Sequence, residues 1–185
     1  MPEILEAKVN PKVPFRVVED AIRKRNYGVL STISRDGRPH SAGVSYAVSA
    51  RTEPLTLYIV TDRRSKKARN IVRNPMVSFV ISIPRRPGFL PPSSIQFQGT
   101  ADTLPLSDET CRTAFGRSLV TRRILKIQLE QKGEVSTFIR VRPDPVIFTY
   151  GVGMSIIQLM KHVEGAASRV KIPALDRKPG TCVPT

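Results

Sequence analysis

The sequence predicts a mostly β domain with inserted helices, built on about six antiparallel strands that curl into a closed sheet. Short runs of alternating or β-branched apolar residues recur at 27–34, 40–50, 57–62, 76–83, 94–104 and 135–150, bounded by turn-forming residues. Consecutive runs are joined by a hairpin or a single short helix, whereas a parallel sheet needs a long crossover at each step. Closure removes the exposed edges that such a sheet would otherwise carry.

Residues 1–13, with two prolines and mixed charge, read as an arm. From Pro14 a helix begins, with Val17, Val18, Ala21 and Ile22 on one face and Gly28 beyond its end. The strand at 27–34 runs into Asp36-Gly37, a tight-turn pair that predicts a hairpin. Its return strand, 40–50, is rich in small residues (Ser41, Ala42, Gly43, Ser45, Ala47). Such a strand either lets a flat ligand approach the backbone or marks a bulged edge. The run at 57–62 feeds a short helix capped by Ser65 and stopped before Pro75. Residues 76–83 are almost continuously apolar and are expected to form the most buried strand. Four prolines and a glycine make 84–92 a semi-rigid loop. After the alternating strand at 94–104, a helical region opens at Ser107 or Asp108 and ends at Gly133, with Gly116 as its weak point. Residues 135–150 form a strand pair or one long strand broken near Pro143-Asp144-Pro145. From 151 to 185 the chain reads as an irregular extension of the single domain over 1–185, with one helix at 154–162.

A chain of 185 residues is long enough for one substantial core, and no apolar run approaches the ~20 residues that cross a bilayer. The amino terminus shows no cationic segment followed by an apolar stretch, so a cytoplasmic protein with no membrane partner is expected. Cys111, Cys182, His40 and His162 are too few and too separated for a disulfide framework or a metal site. The 30 Lys and Arg against 15 Asp and Glu give +15, a field that attracts anions in general. The cations are scattered along the chain, which disfavours a patterned nucleic-acid groove.

Charge is densest just past the run at 57–62, where Arg63, Arg64, Lys66 and Lys67 surround Ser65. As an N-cap, Ser65 brings its hydroxyl and the first-turn N–H groups together with the positive end of the helix, an arrangement suited to a phosphate monoester. The same residues also suit a solvated basic turn before a surface helix, and charge alone does not separate the two.

Read together, several features resemble the flavin-binding split-barrel proteins of the pyridoxamine-phosphate-oxidase-like class. They are Gly37-Arg38-Pro39 before a small-residue strand, Leu57-Tyr58-Ile59-Val60-Thr61, Ser65-Lys66-Lys67, Asn70, and Asn74-Pro75 before Val77. The likeness runs over 27–83 and more weakly at 95–101 and 141–150. It implies a six-stranded split β-barrel, a homodimer with cofactor at the subunit interface, and hydride transfer between FMN and a small molecule. A related branch uses the deazaflavin F420, whose acidic tail a charge of +15 suits. The resemblance places the cofactor phosphate on Ser65 and Lys67, with Lys66 assisting. It lines the flavin ring with Ser41, Val44 and Ser45, supports the ring or ribityl chain from Val60 and Thr61, and brings Gln98 toward the cofactor. It also lets the loop at 84–92 or the tail complete the partner's site. True pyridoxamine phosphate oxidases carry an arginine and a lysine where this chain has Ala42 and Ala47, and a tryptophan-containing signature that a chain without Trp lacks. Oxidation of pyridoxamine phosphate is therefore not expected.

No general acid or base stands out. His40 is a candidate for proton traffic, since an unperturbed imidazole titrates near pH ~6.5. Tyr46 and Tyr150 are either substrate donors or ordinary packed side chains. A noncatalytic flavin or haem carrier on the same barrel, and a basic nucleic-acid-binding module without cofactor, are the competing readings.

Overall fold

A computed structural model describes residues 13–84, 92–161 and 165–174. The arm at 1–12, most of the loop at 84–92, His162 and Cys182 lie outside the described residues.

The chain opens its sheet with the expected hairpin: β1 (Tyr27–Ile33) pairs antiparallel with β2 (Pro39–Ser45), Tyr27 opposite Ser45 and Ile33 opposite Pro39. Gly37 takes φ 78°, the left-handed conformation such a turn requires. Then come β3 (Ala47–Val48), β4 (Leu57–Asp62), β5 (Met76–Ile83), β6 (Ser93–Leu104) and β7 (Ser136–Pro143). The hydrogen-bonded path runs β2-β1-β5-β6-β7-β4-β3. Since β3 continues β2 beyond Tyr46, one strand borders β1 in its first part and β4 in its second, and the path returns on itself as a six-stranded ring. The ring is split: β2 leaves β4 unpaired until Ala47 meets Tyr58 and Val48 meets Leu57. This is the curled antiparallel split barrel that the sequence predicts.

Past the ring, β8 (Val146–Tyr150) pairs with the first part of β6, whereas β7 pairs with its last part. The break at Pro143-Asp144-Pro145 thus separates two strands laid on one partner, and the Asp144 N–H donates to the Gln98 carbonyl between them at 2.9 Å. Gly99 allows this crossing, because a Cβ there would stand 2.2 Å from the Arg142 carbonyl oxygen. The extension is not wholly irregular: β9 (Ala167–Lys171) pairs with β8, burying Ser168 and Val170 and exposing Ala167, Arg169 and Lys171. The expected helix at 154–162 starts two residues later, as α5 (Ile156–Lys161).

Inside the barrel, Phe79 and Phe97 stack at 5.6 Å and Tyr46 meets Phe79 edge-on at 5.5 Å. Each fully buried aromatic contributes roughly 2–3 kcal/mol of transfer free energy. One helix, α1 (Phe15–Arg23), seats Val18 and Ile22 in this core, and the Tyr46 hydroxyl donates to the Ile22 carbonyl at 2.9 Å, satisfying a helix-end acceptor. Another, α2 (Lys66–Arg73), buries Ala68, Asn70 and Ile71. The single helical region at 107–132 resolves into α3 (Glu109–Gly116) and α4 (Leu119–Lys132), each capped by its own side chain, Asp108 and Ser118. Phe115 and Cys111 of α3 pack with Ala47, Tyr58, Val60 and Phe138 on the outside of the barrel. Strand β4 is therefore covered on both faces and is the most buried strand, not β5 as expected. Among the described residues no element covers the outer face of β5, where Ser78 and Val80 are half-exposed and Ser82 is exposed.

Candidate functional site

At the end of β4 the chain turns through Asp62, whose carboxylate accepts the Arg64 N–H at 2.7 Å and lies 3.5 Å from the Arg64 guanidinium. That backbone bond, helped by the guanidinium, holds Asp62 below the usual carboxylate range. Ser65 then caps α2: its Oγ accepts the Ala68 N–H at 3.4 Å and lies 3.5 Å from Thr61 Oγ1. The first-turn N–H groups of Lys66 and Lys67 have no intrahelical acceptor. Lys66 is exposed and Lys67 half-buried. Lys67 makes no hydrogen bond or salt bridge to the described residues, and burial lowers its pKa against the opposing pull of Asp62. A hydroxyl, free N–H groups and an ammonium short of counter-charge form a donor set that fits a phosphate.

The helix carrying this cradle is fixed from beneath. Asn70, 2% exposed, donates through Nδ2 to Thr32 Oγ1 at 2.9 Å, and Thr32 Oγ1 donates to the His40 carbonyl at 3.3 Å. The His40 ring is half-buried, with Nδ1 enclosed and lacking a partner. Against α2 and the β1–β2 turn lies a cleft of about 560 Å³ whose lining includes Arg35, Lys66, Arg69, Arg73 and Asp36. It adds positive potential beside the cradle.

Across the split from β4 stands β2. Along β2, Ser41, Gly43 and Ser45 face outward, with Ser41 Oγ 2.8 Å from Ser31 Oγ, while Val44 is buried in the core. Ser41 and Ser45 thus lie on the strand at one side of the split and Thr61 on the strand at the other, with Ser65, Lys66 and Lys67 following just past its end. The side chain of Val44 points into the barrel and that of Val60 into the cluster under α3, leaving only their main-chain groups for a ligand. Gln98 shares the outer face, in the cross-strand row Ser41, Ser31, Ser78, Gln98. It stands three strand spacings, roughly 14 Å, from Ser41, so one chain does not bring them together. Tyr46 is fully buried with its hydroxyl engaged, which makes it a core residue.

Sequence reasoning passed over two features. Tyr27, 60% exposed, lies across Gly43 on the outer face. The Asp36-Gly37 register, which sets Tyr27 opposite Ser45, was the signal that would have found it. The other is a cleft of about 770 Å³ whose lining includes Phe15, Leu55, Pro143, Ile172, Arg51 and Arg142. It meets β4 at its start, roughly 20 Å from the Ser65 cradle along the strand.

A family model described as Pyridoxamine 5'-phosphate oxidase matches residues 16–150. A 5a,11a-dehydrotetracycline/5a,11a-dehydrooxytetracycline reductase of Streptomyces rimosus is 29% identical over 126 residues, 65% of this chain and 86% of that protein. Among solved structures, a haem-binding protein from Mycobacterium smegmatis superposes with TM-score 0.60 at 18% identity over 82% of this chain. This chain spans only 54% of that protein. The haem storage protein HutZ from Vibrio cholerae gives TM-score 0.60 at 17% identity, over 76% of this chain and 98% of its own. An FMN-binding, pyridoxamine 5'-phosphate oxidase-related protein from Nostoc punctiforme gives 0.53 at 14%, over 75% and 84%. At these identities the structural likenesses show the fold.

Proposed function

We propose that this chain, which belongs to the pyridoxamine 5'-phosphate oxidase family, is an oxidoreductase that holds the phosphate of a flavin-type cofactor, FMN or F420, and reduces a conjugated double bond in a small planar substrate. The half-buried, unpaired Lys67 beside the Ser65 cap carries the reading, since an ammonium in that state is stabilised by a bound phosphate. When bound, such a cofactor supplies the hydride chemistry. The chain's own residues supply grip and orientation: Ser65, Lys66 and Lys67 for the phosphate, Thr61 and the Val60 backbone beside it, and Ser41, Ser45 and the Val44 backbone along the ring. The relative from Streptomyces rimosus, named for reducing a dehydro bond, supports the direction of reaction.

The outer sheet face at β5, which no described element covers, and the distance of Gln98 from its own split support a homodimer in which a second copy packs on that face and offers Gln98 to the first copy's cofactor. Purified protein is expected to carry an FMN spectrum or F420 fluorescence, or to take up one of the two on titration, and to run as a dimer. A protein that binds neither, whatever its affinity for DNA, overturns the proposal. A second reading, a noncatalytic haem carrier, draws on the fold shared with the haem-binding and haem storage proteins, with the half-buried His40 of β2 as the candidate ligand. A Soret band lost in His40→Ala supports it, and the absence of haem uptake removes it.

A further inference from the structure

We infer that the cleft of about 770 Å³ at the start of β4 is a second ligand site, built for a small free monocarboxylate with an aryl or branched apolar body. Four parts of the chain meet there: the first turn of α1, the loop before β4, the β7–β8 turn and the end of β9. Its volume lies in the range of small-molecule pockets. Phe15, Leu55 and Ile172 supply an apolar floor that packs onto the barrel core. Pro54, Pro143, Pro145 and Pro173 add walls that are stiff and carry no N–H donor. The Pro54 carbonyl accepts the Ser49 and Thr56 hydroxyls at 2.9 and 3.0 Å, and the Pro145 carbonyl accepts the Ile172 N–H at 2.8 Å. These hydrogen bonds are already made within the wall, so an apolar body enters without breaking any.

Charge at the rim selects the polar end of the ligand. The lining carboxylates are engaged: Glu19 accepts Arg23 Nε and Arg51 Nη1, each at 2.8 Å, and Glu53 turns back to the Ala50 N–H at 3.2 Å. The lining cations keep donors free. Arg51 is held by Glu19 and Asp20, yet its side chain is 49% exposed. Arg142 Nη2 lies 3.1 Å from Asp102 Oδ1, its side chain is 46% exposed, and its Nε and Nη1 have no partner among the described residues. A guanidinium has five N–H groups, so these ion pairs fix each head and still leave N–H groups for a carboxylate. Arg16 lines the cleft as an exposed cation, and α1 starts beside it with neither a side-chain cap nor an acidic residue in its first turn. The positive end of that helix adds to the field. A neutral apolar molecule would leave this field unmatched, and a phosphate would leave the floor unmatched; a monocarboxylate on an apolar body meets both. The cleft stands roughly 20 Å from the Ser65 cradle along β4, so an occupant of one leaves the other open.

The test titrates the full chain with anilinonaphthalene sulfonate, a fluorescent aryl anion, with and without saturating FMN. The probe is then displaced with phenylbutyrate or with its neutral counterpart, phenylbutanol. One probe per chain is expected, untouched by FMN, with the acid displacing it at least about 10-fold more tightly than the alcohol. Arg142→Gln, in which Asp102 keeps its bonds from Arg140, is expected to weaken phenylbutyrate about 5–20-fold and phenylbutanol less than about twofold. Ala174→Trp, which puts bulk into the cleft from an exposed position, is expected to remove both ligands without lowering the melting midpoint. Absence of saturable probe binding overturns the inference, as does equal displacement by acid and alcohol. Unchanged phenylbutyrate affinity in both Arg142→Gln and Arg51→Gln, or full binding in Ala174→Trp, does the same. Displacement by FMN also overturns it, by making the cleft part of the cofactor site. A chain that takes the probe as expected but no cofactor sinks the oxidoreductase reading alone.

Discussion

Lys67→Ala separates a phosphate site from a basic turn, because the two assign opposite consequences to one side chain. In the folded protein Lys67 is half-buried, and its lowered pKa arises from desolvation. A depressed lysine pKa means that at neutral pH, below both the folded and the unfolded values, its charge costs folding free energy, and that this cost fades as pH rises. Truncation breaks no ion pair, so the cofactor-free thermal midpoint is expected to hold or rise slightly. Bound cofactor reverses the sign. Losing a charge-assisted phosphate contact costs about 1.5–3 kcal/mol, or about 10–150-fold in Kd at about 1.4 kcal/mol per decade. Lys66→Ala, at an exposed position, is expected to cost no more than about 1 kcal/mol. The assay is fluorescence titration with FMN or F420, beside thermal melts of the cofactor-free proteins. An affinity loss below about threefold, or a midpoint several degrees lower, refutes the assignment and leaves Lys67 a structural residue.

Three further outcomes follow from the same geometry. Asn70→Ala removes the buried bond to Thr32, at a cost of about 2–3 kcal/mol, and is expected to lower the melting midpoint by roughly 4–12 °C; an unchanged melt would show that this bond does not fix α2. Gly99→Ala forces a Cβ onto the Arg142 carbonyl and is expected to cost about 1–3 kcal/mol of stability, read as a lower urea midpoint with no change in slope. Above neutral pH, cofactor affinity is expected to fall as Lys67 loses its proton, starting below the ordinary lysine value of 10.5, and Lys67→Arg is expected to abolish the fall. Persistence of the fall in the arginine variant assigns it to another group.

Features settled by neighbours in the chain were legible from sequence. Asp36-Gly37 set the β1–β2 register, and Ser65 with Pro75 bounded the helix that carries the cradle. Features settled by distant packing were not. The run at 76–83 looks more apolar than it is buried, because Ser78, Val80 and Ser82 alternate onto a face that α3 and α4 do not reach. Those helices settle on β4 instead, which turns the Val60 side chain away from the split. Strand β9 escaped notice because its five residues include two exposed cations between a glycine and a proline. Gln98 is a matter of counting: sequence order does not say that β1 and β5 stand between it and β2.

The two alanines on the return strand bear on cofactor choice. Ala47 is 3% exposed, packed with Tyr58, Phe115 and Phe138 under α3. A lysine there would carry its ammonium into an apolar cluster at a cost of several kcal/mol, so α3 in this position and the lysine of the true oxidases exclude each other. Ala42, opposite Leu30, likewise offers no charge beside the split. On the proposed reading, with both cations gone, grip on the phosphate would fall to the first turn of α2 and to Lys67. Such groups would read a phosphate and nothing beyond it, and so would not separate FMN from F420. Discrimination would then belong to the outer face of β2, with the hydroxyls of Ser41 and Ser45 and the phenol of Tyr27 across Gly43. Substitutions at α2 should accordingly scale the affinity for both cofactors together, while substitutions on the β2 face should change their ratio.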